Sequence, residues 1–260
     1  MPTRLLLPIL SSLVLIVSLG ADDRWAPQAV AGPINQLVVS GNACGPAALL
    51  GSLRCGDDDS RAIYAAVPGN NDRSRLLYLI RTLGLRPSVS LRDRARWTRQ
   101  GINPEDLHAI ARELSESTGQ QPPRMLGLHA PAGTKGTKTL QTVHRAFRDS
   151  LADGFPPVLA IRRYVLRKGQ WQMLDGHFIS IVRVPERLDR SATSFSLTYF
   201  DPWGAKKREA SIEIPSRPFL SQDPAKPGAL ELRAPEADVG KSKVRSGEFT
   251  LLAPTVMIGE

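Results

Sequence analysis

Two cysteines, Cys44 and Cys55, and four histidines, His108, His129, His144 and His177, are the side chains best suited to nucleophilic chemistry in this chain. A thiol with an ordinary pKa of about 8.5 is only a few per cent thiolate at neutral pH, so a cysteine that attacks a carbonyl needs that value lowered. The segment SGNACGPAALLGSL, residues 40–53, offers Cys44 the means. The apolar pattern predicts a helix over 45–54 with Pro46 in its first turn, where a missing N–H costs nothing. A helix N-terminus carries about half a positive charge and unpaired N–H groups, both favourable to a thiolate. Ser40, Gly41, Ala43 and Gly45 leave room beside the sulfur for a substrate backbone. A disulfide with Cys55 competes with this reading in an exported chain. Helix geometry speaks against it, because eleven steps of 1.5 Å separate the pair by about 16 Å and a bridge spans at most roughly 7 Å.

A thiol nucleophile needs an imidazole partner, and the imidazole needs a group that fixes its tautomer. His108 and His144 fall within predicted helices, the setting of structural histidines, and His129 follows the short run RMLGLHAP. His177 is read at the start of a strand, directly after an Asp175-Gly176 turn. Asp201 closes the strand SFSLTYFD, and Pro202-Trp203-Gly204 stops it. If these two strands are antiparallel neighbours joined by residues 185–193, the start of one lies beside the end of the other and His177 meets Asp201. Taken singly, each residue has an ordinary reading as a buried thiol, a sheet-edge histidine or an Asp-Pro turn. It is the order of a cysteine on a helix, a histidine on a strand and an aspartate ending the next strand that points to chemistry.

In that order the sequence resembles the papain-like cysteine peptidase superfamily, in particular its bacterial leader-processing (bacteriocin-type) branch. NACGPAALLGSL looks like the nucleophile segment, DGHFISIVRV like the histidine strand and YFDPWG like the aspartate strand. The resemblance implies a peptidase-type fold, a thioester intermediate, no cofactor and no metal. It makes Cys44 the nucleophile, His177 the general base and acid, and Asp201 the residue orienting the imidazole. The family usually has a glutamine about six residues before the cysteine as oxyanion donor. Gln36 stands eight before it, so either Gln36 serves across a longer loop or Asn42 supplies the amide beside the backbone N–H of Cys44. The gap of 133 residues between Cys44 and His177 is long for that branch and implies an enlarged helical half. DGHF and the downstream aspartate also resemble phytochelatin synthases, papain-like transpeptidases acting on glutathione, whose nucleophile segment differs after the Cys-Gly pair. Cell-wall amidase relatives of papain generally have a shorter cysteine-to-histidine gap.

The elements that must position these residues change character along the chain. Helical spacing predicts helices over 60–66, 72–83 with Gly84 as a left-handed cap, a run opening at Pro104 behind an Asn103 cap, and 139–152 ending at Gly154. After Pro157 the runs 158–166, 170–174, 177–184, 194–201, 208–214 and 248–258 are strand-like, with short turn signals at Lys168-Gly169 and Asp175-Gly176. Residues 215–247, rich in proline and charge, read as a long surface excursion. Helices first and strands second predict an α+β fold. This gives one domain over 21–260, a helical first half carrying the nucleophile helix packed on a C-terminal antiparallel sheet.

Residues 1–20 read as a secretory signal, with a basic start, a 15-residue apolar stretch from Leu5 to Leu19, and small residues before the polar ADDRW. The body is therefore expected to be exported, periplasmic or secreted, with no integral membrane span once the signal is cleaved. A retained anchor is the other reading, although a span needs about 20 apolar residues. The formal charge of +9 is scattered, with its densest runs at 92–99 and 162–168. It suits a solvated face or weak association with an anionic surface, and Arg162, Arg163 and Arg167 could line a cleft for acidic substrates. Nucleic acid is excluded as a partner by the absence of a basic-aromatic module. The reading is an exported thiol hydrolase acting on a peptide or protein substrate. A catalytically inactive papain-like binding or envelope protein, or a papain-like transpeptidase, stands as the alternative.

Overall fold

The apolar run that follows Cys44 forms helix α1, Cys44–Cys55, in the computed structural model, which describes residues 22–129, 134–216, 219–220, 228–234 and 248–260. The segment read as a signal, 1–20, lies outside the described residues. Because α1 is apolar on nearly every side, it is central: Ala47, Ala48, Leu49, Leu50 and Leu53 are all buried. Burying each leucine contributes about 1.5–3 kcal/mol. Around α1 pack α2 (Asp58–Ala66), α3 (Asp72–Tyr78) and α4 (Pro104–Ser117), whose inward residues Ile63, Leu76, Leu107, Ile110 and Leu114 share its core.

These satellite helices are started by side chains. Asp57 accepts the Ser60 N–H at 2.9 Å, Asn71 and Ser74 form a capping box, and Asn103 accepts the Asp106 N–H at 2.7 Å. The first residue of α1 is preceded instead by Ala43, which has no side-chain acceptor to offer. The N–H groups of its first turn are therefore left to another partner.

The chain beyond α3 departs from the sequence expectation. A single helix over 72–83 with a left-handed cap at Gly84 is replaced by α3 and a π-type turn, Leu79–Leu83, and Gly84 has the right-handed φ of −73°. The wider turn lets the Gly84 N–H reach the Leu79 carbonyl at 2.7 Å, so no left-handed cap is needed. Glycine is required there for another reason. A Cβ at that point would lie 2.6 Å from the Ile80 carbonyl oxygen and 2.9 Å from the Trp97 Cβ. That close approach seats the small hairpin β2 (Trp97–Thr98) and β3 (Gly101–Ile102) next to the start of α1.

The second half is an antiparallel sheet. Its strands are β4 (Arg124–Gly127), β5 (Val158–Arg167), β6 (Gln170–Pro185), β7 (Ser194–Asp201), β8 (Lys206–Glu213), β9 (Glu231–Arg233) and β10 (Thr250–Gly259), in the order β4-β10-β5-β6-β7-β8-β9. Strand β1 (Asp23–Trp25), within the lead-in, pairs with the end of β6. Alternation along the strands sorts side chains to two faces. Val158, Ala160 and Phe178 join the core of α1, while Leu159, Ile161, Ile179 and Ile181 pack with Val143, Phe147 and Leu151 of α5 (Gly136–Ala152). Helices concentrated in the N-terminal half and a large antiparallel sheet in the C-terminal half make the fold mixed α+β.

Two expectations about the sheet are corrected. Asp175-Gly176 is not a turn, because β6 runs unbroken from Gln170 to Pro185 and His177 sits within it rather than at its start. The irregularity is taken up by a bulge. Arg163 faces Asp175 but Tyr164 faces Met173, so Leu174 is the extra residue, and Arg163 lies 3.1 Å from the Asp175 carboxylate. The true turn is Lys168-Gly169, with φ of 50° and 75° as a two-residue hairpin requires. Within 215–247, read as a surface excursion, the described residues include β9 and the buried Phe219, whose ring meets Tyr164 and Trp171 edge-on. No helix of the described residues is long and apolar enough to cross a membrane.

Candidate active site

Cys44 is half-buried as the first residue of α1, and Cys55, fully buried at the other end of the same helix, is likewise a free thiol. The two differ in chemistry. Burial pushes the Cys55 thiol up to about 11, and its sulfur points to the Gly32 carbonyl at 3.6 Å. Burial also pushes Cys44 upward. There, however, the hydrogen bond and charge of His177 and the backbone groups of Phe178 and Gly45 outweigh it, and the thiol lies below its ordinary value. The Gly45 contribution is the uncapped start of α1 at work.

His177 is 5% exposed. Burial alone would lower its imidazole, yet the hydrogen bonds to Asp201 and Cys44 and the charges of both raise it to about 9. Its Nε2–H donates to Asp201 Oδ1 at 2.8 Å, which directs the remaining ring nitrogen toward the thiol. Cys44, His177 and Asp201 are thus brought together, with shifts that favour a thiolate beside an imidazolium. Antiparallel pairing of β6 with β7, Ser180 opposite Phe200, carries Asp201 to the level of Ile179, so that it is the diagonal neighbour of His177.

Asp201 is completely buried. A buried carboxylate is costly unless it is paired. Oδ1 accepts a second bond from the Trp203 N–H at 2.9 Å, and Oδ2 lies 3.1 Å from Arg208 Nε on β8. Sequence reasoning passed over Arg208, although a signal existed. In KKREASIE it falls in phase with the inward residues Ala210 and Ile212, where an arginine is out of place unless something buried needs its charge.

The loop before Cys44 is held from two sides. The Gln36 N–H donates to the Pro202 carbonyl at 3.0 Å, and its side-chain Nε2 donates to the Gly41 carbonyl at 2.5 Å. Gln36 is fully buried, with Oε1 unpaired among the described residues. A Cβ on Gly41 would lie 3.6 Å from the Trp203 ring. On the other side the Trp97 indole N–H donates to the Asn42 carbonyl at 3.0 Å, and the Asn42 side-chain amide donates to the Arg99 carbonyl. The basic run 92–99 therefore serves as a brace, with the buried Arg96 paired to Glu113 at 2.8 Å. The two oxyanion candidates differ accordingly: Gln36 is enclosed under the loop, and exposed Asn42 is tied to the hairpin.

The other histidines are engaged elsewhere. His108 Nε2 bonds the Pro123 carbonyl at 2.8 Å and His144 Nε2 the Pro185 carbonyl at 2.7 Å. Burial and the charge of Arg162 hold His129 below the ordinary imidazole value. Arg163 and Arg167 are occupied by Asp175 and Glu248, which leaves no cluster of three free arginines for an acidic substrate. No group of three or more histidine, cysteine or acidic side chains suited to a metal ion occurs among the described residues. No family model and no curated protein matches the chain.

Proposed function

We propose that the chain is an exported thiol hydrolase of the papain-like kind, cleaving a peptide or related amide bond of a peptide or protein substrate through Cys44, His177 and Asp201. The observation that carries this reading is the His177–Asp201 bond at 2.8 Å on an imidazole whose other neighbour is a thiol lowered at a helix N-terminus. A buried cysteine of structural use has the opposite profile, as Cys55 does in the same chain. Export rests on the apolar start of the sequence, and the papain-like assignment on the order and motifs of the three residues.

The chemistry follows from the charges. The Cys44 thiolate attacks the substrate carbonyl carbon, and the oxygen takes up negative charge. The His177 imidazolium then gives its proton to the departing amine as the C–N bond breaks, which leaves a thioester on Cys44. Water, giving its proton to the now neutral His177, attacks the thioester, releases the acid with Cys44 as the departing thiolate, and restores the thiolate–imidazolium pair. Asp201 holds the ring and offsets its positive charge at each stage. Gln36 is the better oxyanion donor, since Nε2 carries a second N–H beside the one given to Gly41, and Asn42 is turned to Arg99.

The test is alkylation at mildly acidic pH, read by mass spectrometry, followed by profiling against a peptide library. Rapid labelling of Cys44 but not Cys55, lost in His177→Ala, supports the hydrolase. Equally slow labelling of both cysteines would sink it in favour of an inactive binding protein.

A further inference from the structure

We propose that Arg208 is a positioning residue of this site, acting on His177 through Asp201 and thereby making the Cys44 thiolate tenable in a largely buried setting. The inference rests on the hydrolase reading and adds to it a fourth charged group.

The strand register places Arg208 for this role. On the β7–β8 pair, Asp201 stands opposite Lys206 and Arg208 opposite Tyr199, so Arg208 is the diagonal neighbour of Asp201 on the same face. Its side chain is 7% exposed and that of Asp201 is 0% exposed, with 3.1 Å between Nε and Oδ2. Arginine is rarely buried to this degree without a charged partner. The carboxylate is consequently held at both oxygens, Oδ1 by His177 and the Trp203 N–H, Oδ2 by the guanidinium. Rotation of the carboxyl group would break all three contacts together, which fixes the direction in which Oδ1 meets the ring.

Charge balance supplies the second argument. The groups facing His177 and Asp201 are Cys44 from α1, Arg208 from β8 and, at the exposed register position, Lys206. With imidazolium and carboxylate paired, a thiolate would leave the buried cluster one negative charge in excess. Arg208 brings that sum to zero. That charge reaches the thiol by way of Asp201, so removing Arg208 releases the carboxylate that supports the imidazolium and thereby raises the thiol pKa.

The experiment is the pH profile of iodoacetamide labelling at Cys44, with buried Cys55 in the same spectrum as the gauge of folding. In Arg208→Gln the acid limb is expected to move up by about one unit or more, so that labelling at mildly acidic pH slows about tenfold, while Cys55 stays unlabelled. An unmoved acid limb in a variant that keeps Cys55 protected would overturn the proposal. If the carboxylate left without its guanidinium opens the fold and exposes Cys55, the double variant Asp201→Asn, Arg208→Gln decides, since it removes both members of the buried pair. It is expected to label at the rate of Asp201→Asn alone, and further slowing would show Arg208 acting independently of Asp201 and refute the proposal. Failure of the hydrolase reading is seen separately, as acidic labelling of the otherwise unaltered protein that ignores His177→Ala.

Discussion

The backbone N–H of Gln36 donates to the carbonyl of Pro202 at 3.0 Å, and so ties the loop that precedes the thiol to the turn that follows the aspartate. Asp201, Pro202 and Trp203 each serve a different part of the site. Asp201 accepts from His177, Pro202 anchors Gln36, and the Trp203 ring lies against Gly41 while its N–H returns to Asp201. Displacing this one turn would disturb the imidazole and the loop before Cys44 together.

The pH response has two limbs of known sign. Turnover is expected to fall with acid as the Cys44 thiolate takes up a proton below the ordinary thiol value, and with alkali as the His177 imidazolium loses its proton near 9. Stability is a separate measurement. The raised His177 contributes fully below its ordinary 6.5 and is lost as pH rises through about 9. The lowered Cys44 contributes fully above its ordinary thiol value and is lost as pH falls. The two run in opposite directions across that interval, so the pair adds little slope there to the urea midpoint. Cys44→Ala removes the thiol's contribution and leaves His177 raised by Asp201 alone, so its midpoint is expected to decline from pH 6.5 upward relative to the unaltered protein, the decline ending below about 9.

Asp201→Ala leaves Arg208 buried without its carboxylate and His177 without its orienting partner. Breaking a buried pair on one side costs about 3–5 kcal/mol, to be read from urea unfolding. Acidic labelling of Cys44 should drop with it, and a variant as stable as the parent would show the pair to be solvated.

Gln36→Ala separates stabilisation of the oxyanion from generation of the nucleophile. Loss of one oxyanion donor lowers kcat about 10²–10³-fold. The rate of Cys44 alkylation, which builds no oxyanion, is expected to stay within a few fold. Asn42→Ala is expected to leave kcat nearly unchanged, and the reverse ranking of the two variants would transfer the role to Asn42.

Gly45→Ala tests the fit at the start of α1. The added Cβ would lie 2.5 Å from Ile102, 3.3 Å from Phe178 and 3.4 Å from Leu107. Overpacking of this kind costs about 1–3 kcal/mol. It should also shift Cys44 relative to His177, so that thermal stability and acidic labelling fall together.

Local information was enough for much of this molecule. The apolar run after Cys44 dictates a buried helix whatever surrounds it. Alternation in SFSLTYFD dictates a strand ending at Asp201, and the strand keeps its expected bounds while α1 runs one residue past 45–54 at each end. That β6 and β7 are antiparallel neighbours could be reasoned from the order of strands, but Asp201 meets His177 in the middle of β6 and not at its start, because β6 extends back to Gln170. What local signals misjudged was Asp175-Gly176, because a glycine beside an aspartate favours a turn only when no neighbouring strand claims the backbone. There β5 claims it, and a bulge at Leu174 with the Arg163 partner absorbs the misfit.

The tertiary structure alone decided the rest. Whether Cys44 or Cys55 has the lowered thiol depends on what each sulfur faces, and one meets His177 while the other meets a carbonyl. Whether Gln36 or Asn42 is enclosed at the loop depends on Pro202 and Arg99, residues remote from both in sequence. Arg208 enters only through the register of β7 with β8. Residue types and spacing determine which elements form and which chemistry is within reach. Protonation states and hydrogen-bond partners belong to the field and geometry of groups far apart in the chain, and these exist only once the sheet and α1 have packed.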